Sequence, residues 1–168
     1  METFLHPLLH DPACRVRIVS RRGHRAVLAA VDVPAGGVVL RLDGDVVDRP
    51  SRYSVQLGAD RHLDVHEGVD PDAEPARYAW RFLNHSCEPN GVLHERLLIA
   101  PRAIRRGDEV TFDYETNEWD MHEPFACCCG AASCRGAVRG YRHLPPAARR
   151  ALAGLAAPHL LQLADGTA

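Results

Sequence analysis

The chain has 168 residues, of which 46% are apolar and 25% charged, and its net charge is −2. This suits one globular domain with a short extension. It leaves no basic footprint for nucleic acid or an anionic membrane surface, and no apolar run reaches the length of a membrane span.

In chain order, "RVRIV" and "AVLAAV" are apolar and β-branched and predict short strands. "VPAGGVVLRL" predicts another, entered through a proline and two glycines. "RYSVQLGADRHLDV" reads as a hairpin around Gly58. Residues 67–75, "EGVDPDAEP", are acidic and proline-bearing and predict a loop. "PARYAWRFL" predicts a short helix, with Pro75 tolerated at its start. "RLLIAPRAI" and "DEVTFDY" read as strands joined by a turn at Gly107-Asp108. Near the C-terminus, Leu152, Leu155 and Ala156 predict an amphipathic helix, interrupted near Pro158, that packs on the domain surface. No repeat is visible, and no GxGxxG follows a strand, which argues against a dinucleotide-binding α/β fold.

The N-terminal "METFLHPLLH" has no basic region followed by a long apolar run, so it does not read as a secretory signal, and a soluble cytoplasmic protein is expected. All basic side chains are arginine and none is lysine, which reads as genome composition. Cys14, Cys87, Cys127, Cys128, Cys129 and Cys134 make up the cysteines. Without a secretory signal, metal binding outweighs a disulfide framework. In "FACCCGAASCRG", Cys127 and Cys129 supply two ligands from a tight turn, and Cys134 returns after Gly130. A closed zinc site wants four ligands. Cys87 is the leading candidate for the fourth, with Cys14 and Cys128 as competitors. A free thiol cluster or a local disulfide would be the bland alternative.

Cys87 lies in "RFLNHSCEPN", residues 81–90, which also holds Asn84, His85, Ser86 and Asn90. This run resembles the NHSCxPN motif of SET-domain protein methyltransferases. "GDEVTFDY" resembles that family's second core motif, "CCCGAASCRG" its zinc-binding post-SET segment, and "VDVPAGGVVL" its N-terminal strand entry. The matches fall in the family's order over about residues 15–143, and three motifs in order are specific. The resemblance implies a mainly β SET-domain β-clip fold. It would have a C-terminal pseudoknot, few short helices and a zinc-binding post-SET segment. Boundaries are expected at 12–118 for the SET domain, 119–143 for the post-SET segment and 144–168 for a helical extension.

The resemblance further implies methyl transfer from S-adenosylmethionine (AdoMet) to the ε-amine of a protein lysine, with no nucleic-acid or membrane partner. Tyr114 would be the catalytic tyrosine, its hydroxyl beside the amine and the transferring methyl. Asn84 would bind the amino-acid moiety of AdoMet, and His85 would offer backbone groups to the adenine edge. Arg81 and Phe82 would line the cofactor side, Phe125 or Trp119 would cover the adenine, and Tyr53 would line the lysine channel. The family's GxG cofactor turn falls on His24, Arg25 and Ala26, with Gly23 one step earlier. An aromatic common in the family is replaced by Leu42. Ser86 has no GxSxG elbow around it and reads as a turn residue. Two other functions remain open at this point: a zinc-stabilised binding module without transfer, and a methyltransferase for a small amine.

Overall fold

The computed structural model describes residues 15–21 and 23–166. Cys14 lies outside the described residues. The chain is built from short strands: β1 (Val16–Arg21), β2 (His24–Ala29), β3 (Val38–Arg41), β4 (Asp45–Val47), β5 (Val55–Gly58), β6 (Arg61–Asp64), β7 (Asn84–His85), β8 (Val92–His94), β9 (Leu97–Ile99), β10 (Thr111–Phe112), β11 (Phe125–Ala126) and β12 (Ala137–Val138). Two helices close it, α1 (Pro146–Leu152) and α2 (Pro158–Ala164).

The strands form five small sheets. β1 and β2 make a hairpin, β4-β6-β5 and β3-β9-β8 make antiparallel three-stranded sheets, and β11 pairs with β12. β2 shows why so short a strand is stable. Ala26 to Ala29 are buried, and its free edge is sewn to the 108–110 segment by Ala29 N–H to Asp108 O and Val110 N–H to Val27 O. One main core, with Val27, Val39, Leu63, Leu98 and Val110 fully enclosed, lies between the sheets.

The remaining pairing is topologically unusual. β7 and β10 are parallel, with Thr111 opposite Asn84 and Phe112 opposite His85. On the other side of β10, Gly91 N–H donates to Thr111 O, and Gly91 bridges to Phe112. Residues 84–91 therefore wrap around the 111–112 segment and bond to it from both sides. Such threading is rare, and here it brings two distant motifs into contact.

Three expectations need correction. The segment before Asn84 forms only a 3-10 turn, Ala79–Phe82, because Trp80 and Ala79 must both enter the core while Trp80 Nε1 donates to Asp43 O. "DEVTFDY" is strand only at Thr111–Phe112, before the chain turns over Tyr114–Thr116. The C-terminal helix is two helices, and Pro158 starts the second instead of breaking the first, since an N1 proline lacks a donor the helix has no use for. Leu160 of α2 is fully buried in a second apolar cluster, against which Leu152 and Ala156 of the expected stripe also pack, whereas Leu155 is exposed.

Candidate active site

β10 ends in Tyr114, and the knot holds this residue in place. Asn90 staples the crossing, accepting from Thr111 N–H at 2.9 Å and donating to Glu109 O at 2.8 Å. His85 Nδ1 accepts the Tyr114 backbone N–H at 3.2 Å. That assigns the imidazole proton to Nε2, which faces Cys87 Sγ at 3.3 Å. Burial, reinforced by the nearby Arg135 charge, lowers the His85 pKa to about 4. The imidazole thus braces the knot. The Tyr114 hydroxyl donates to Leu83 O at 2.6 Å, and burial, with the charge of Glu118, raises its pKa.

Tyr114 stands between two cavities. On one side is a cleft of about 730 Å³, lined among others by His24, Asn84, His85, Ser86, Phe125 and Cys127. It adjoins a second of about 620 Å³ that includes Gly23, Arg25, Arg81 and Phe82. On the other side is a narrow, mostly apolar pocket of about 70 Å³, lined by Tyr53, Leu83, Phe112, Glu118 and Met121 among others. Tyr53 and Tyr114 border both the wide cleft and the narrow pocket. The exposed Tyr53 ring lies under the Arg81 guanidinium at 4.2 Å and the Arg52 guanidinium at 5.4 Å.

Most sequence-predicted site residues gather here. Asn84 Nδ2 donates to Arg25 O at 3.0 Å and Glu109 Oε1 at 2.8 Å, which fixes β2 beside the knot. Arg25 covers the Phe82 ring at 4.7 Å and pairs with Asp72, joining the 67–75 loop to the cleft rim. Phe125 meets His85 and Tyr114 edge-on, with centroids 6.1 Å apart in each pair. Ser86 Oγ accepts from Glu88 N–H, as a turn residue does. Three positions fall elsewhere. Trp119 packs beside Tyr141 in the second apolar cluster and its backbone N–H is held by Gln56 Oε1, so it does not cover the cleft. Ala26 is buried in the hairpin opposite Val19. Leu42 is buried in the main core.

The Sγ atoms of Cys87, Cys127, Cys129 and Cys134 lie within 4.8 Å of one another. The Cys87–Cys127 separation is 3.9 Å, close to the edge of about 3.8 Å that a zinc tetrahedron with Zn–S near 2.3 Å requires. Backbone N–H groups already point at the sulfurs: Arg135 N–H at Cys87 and Cys87 N–H at Cys129. The latter is the largest influence lowering the Cys129 pKa to about 6, which favours a thiolate ligand. Cys128 is exposed and stands apart from the cluster.

Arg135 binds this segment to the knot. Its Nη2 reaches Asp113 Oδ1 at 2.6 Å and its Nε reaches Glu115 Oε2 at 2.8 Å, with both acids about 1% exposed. Glu115 Oε1 takes the N–H groups of Arg139 and Gly140. Sequence reasoning missed this network, and Glu118 with it. Acids in "DYETNEWD" look solvated, and only the fold reveals that Asp113, Glu115 and Glu118 are buried.

A SET domain family model matches residues 24–115. A histone-lysine N-methyltransferase, H3 lysine-36 specific, from Yarrowia lipolytica is 36% identical over 129 residues, covering 67% of this chain and 16% of that protein. Methyltransferase flvH of Aspergillus flavus is 40% identical over 115 residues, covering 66% of this chain and 58% of that protein. The chain therefore spans only part of these relatives. Among solved structures, KRYPTONITE in complex with mCHG DNA and SAH matches with a TM-score of 0.51 at 27% identity, over 70% of this chain and 27% of that one. The methyltransferase domain of human SETMAR shares the fold alone, with a TM-score of 0.54 at 19% identity, over 72% of this chain and 56% of that one. With the family model covering more than half of the chain and the knot in place, this protein belongs to the SET-domain family.

Proposed function

We propose that the protein transfers a methyl group from AdoMet to the ε-amine of a protein lysine. The observation that carries this reading is Tyr114 at the junction of a wide cleft and a narrow apolar pocket. A methyl donor and an amine entering from opposite sides would meet in line there, and alignment of this kind supplies much of the rate. The histone-lysine methyltransferases among the relatives support a protein substrate.

The wide cleft suits AdoMet chemically. Its volume is ordinary for a small-ligand site, Phe125 offers an aromatic edge for an adenine, and Asn84 offers polar groups beside β2. When bound, AdoMet supplies an electrophilic methyl on a sulfonium. Asn84, His85 and the rim of His24, Arg25, Arg81 and Phe82 would hold it. Tyr114, kept protonated by burial, retains a hydroxyl that with Leu83 O presents two oxygens for weak C–H···O contacts to a methyl. Tyr53 and Phe112 would sleeve the lysine stem. Cys87, Cys127, Cys129 and Cys134 would hold one structural zinc, which ties the cleft wall to the knot. Four thiols serving as ligands suit a reducing compartment such as the cytoplasm. We assign the SET domain to 12–118, the post-SET segment to 119–143 and a helical extension to 144–168.

The test is transfer of labelled methyl from AdoMet into a cell lysate, with mass spectrometry of the products and Tyr114→Phe as control. Label is expected on protein lysine. Label confined to small molecules would sink the protein-substrate claim, and no AdoMet binding at millimolar concentration would sink the enzyme reading.

A further inference from the structure

Glu118 is 8% exposed and lines the narrow pocket with Leu83, Phe112 and Tyr114. The hydrogen bonds to its carboxylate all fall on Oε1, from Gln56 N–H at 2.8 Å and Asn117 Nδ2 at 3.5 Å. Among the described residues nothing donates to Oε2. A glutamine would satisfy the Gln56 N–H equally well, so the backbone contact does not explain a buried acid. An apolar pocket with one carboxylate oxygen unpartnered is built for a cation with a slender apolar stem.

We infer that Glu118 is the group in this pocket that pairs with the incoming primary ammonium of the substrate and takes one proton from it. The inference rests on the methyltransferase reading and names the residue that frees the amine. The step balances simply: R–NH3+ and the Glu118 carboxylate become R–NH2 and the Glu118 carboxylic acid, and the N–H bonding pair stays on nitrogen as the nucleophilic lone pair. Once nitrogen bears the methyl, the positive charge is back on the amine, and the carboxyl returns its proton to solvent.

The other groups facing the pocket are poorer acceptors. Arg52 from the 50–55 loop and Arg81 from the 3-10 turn are already cationic. Tyr53 is exposed at the junction with the cleft, and His122, on the segment after the knot, is exposed at the rim. Tyr114, from the turn that leads into Glu118, is held in its protonated form by burial and by the Glu118 charge itself. Burial lifts the Glu118 pKa to about 7, against the lowering by its hydrogen bonds to Gln56 and Asn117, so the carboxyl changes charge near neutral pH.

The test uses the full chain and n-butylammonium as the probe, with n-butanol as its uncharged counterpart, in NMR titrations at pH 8. Wild type is expected to prefer butylammonium about tenfold, the scale of one hydrogen bond to a buried charge. Glu118→Gln should abolish the preference while AdoMet binding and zinc content stay unchanged. An equal preference in wild type and variant would overturn the inference. Should Glu118→Gln fail to fold, the Glu118 carboxyl 13C resonance of wild type decides: a shift with butylammonium and none with butanol supports the pairing, and no shift overturns it. A protein that shows this pairing but never methylates lysine would fail the proposed function alone.

Discussion

Removing Arg135 should be among the most damaging single changes in the protein. Its side chain is 18% exposed, and it neutralises two acids that are buried to within 1 or 2%. Arg135→Met keeps most of the volume and leaves two uncompensated buried carboxylates, and breaking such a pair costs about 3–5 kcal/mol. For a chain of this size each kcal/mol moves Tm by about 2–4 °C, so a fall of roughly 6–20 °C is expected. Asp113 adds a pH signature. Burial already raises its pKa against the opposing effect of Arg135, and loss of the guanidinium raises it further. A carboxylate whose folded pKa lies above its unfolded value favours the fold below the unfolded pKa and loses that advantage as pH rises through the folded one. The deficit of Arg135→Met should therefore be smaller at pH 5 than at pH 8. Urea unfolding followed by circular dichroism measures both. Adding Asp113→Asn and Glu115→Gln should recover part of the loss. A deficit below about 1 kcal/mol, the scale of a solvated surface pair, would refute the reasoning, as would a deficit indifferent to pH.

Other outcomes follow from the same geometry. Wild type is expected to carry one metal ion in native mass spectrometry and Cys87→Ser to lose it, and full occupancy in the variant would remove Cys87 from the proposed ligand set. Tyr114→Phe should cut methyl transfer about 100-fold through lost alignment while calorimetry still finds AdoMet bound, and transfer within a few-fold of wild type would count against its role. Gly140 has φ +108°, and an added Cβ would stand 2.6 Å from Trp119 O and 2.7 Å from Asp120 Cα. Gly140→Ala should cost about 1–3 kcal/mol in denaturant unfolding, and an unchanged midpoint would show that the backbone gives way. Glu118, with a folded pKa of about 7 against an unfolded value near 4.3, binds a proton in the fold that the unfolded chain has shed. Stability from this group is complete below pH 4.3 and is lost towards pH 7. Glu118→Gln should gain on wild type by up to about 1.4 kcal/mol per pH unit across that window, and parallel pH profiles would place the carboxyl in solvent.

Residues with several roles packed into a short span made themselves legible. The resemblance of the run holding Asn84, His85, Cys87 and Asn90 to a SET motif implied the crossing that β7 and β10 form, while the spacing of Cys127, Cys129 and Cys134 left room for one ligand from afar. The buried charges were harder. Asp113, Glu115, Glu118 and Arg135 carry the same letters as surface residues, and their burial depends on contacts between segments about twenty to sixty residues apart. Trp119 misled for the opposite reason. An aromatic near the cleft in sequence is drawn to whichever apolar cluster is nearer in space, and Tyr141 with Leu160 provides it. The tyrosine motif also looked longer as a strand than it is, since Asp113 caps a tight turn by accepting Glu115 N–H.

The knot has a consequence for how the protein is made. The wall that carries Phe125 and Cys127 is joined to Cys87 across some forty residues, and Arg135 reaches back to Asp113 from later still. A chain leaving the ribosome can assemble its first hairpins early, because their partners are adjacent in sequence. The wide cleft has no far wall until Phe125 and Cys127 have emerged and the chain has folded back onto Cys87. Long-range closures of this kind form slowly. Under the proposed function, donor binding is therefore a property only of the finished molecule, and its onset during synthesis would mark the moment at which the last segment has been drawn home.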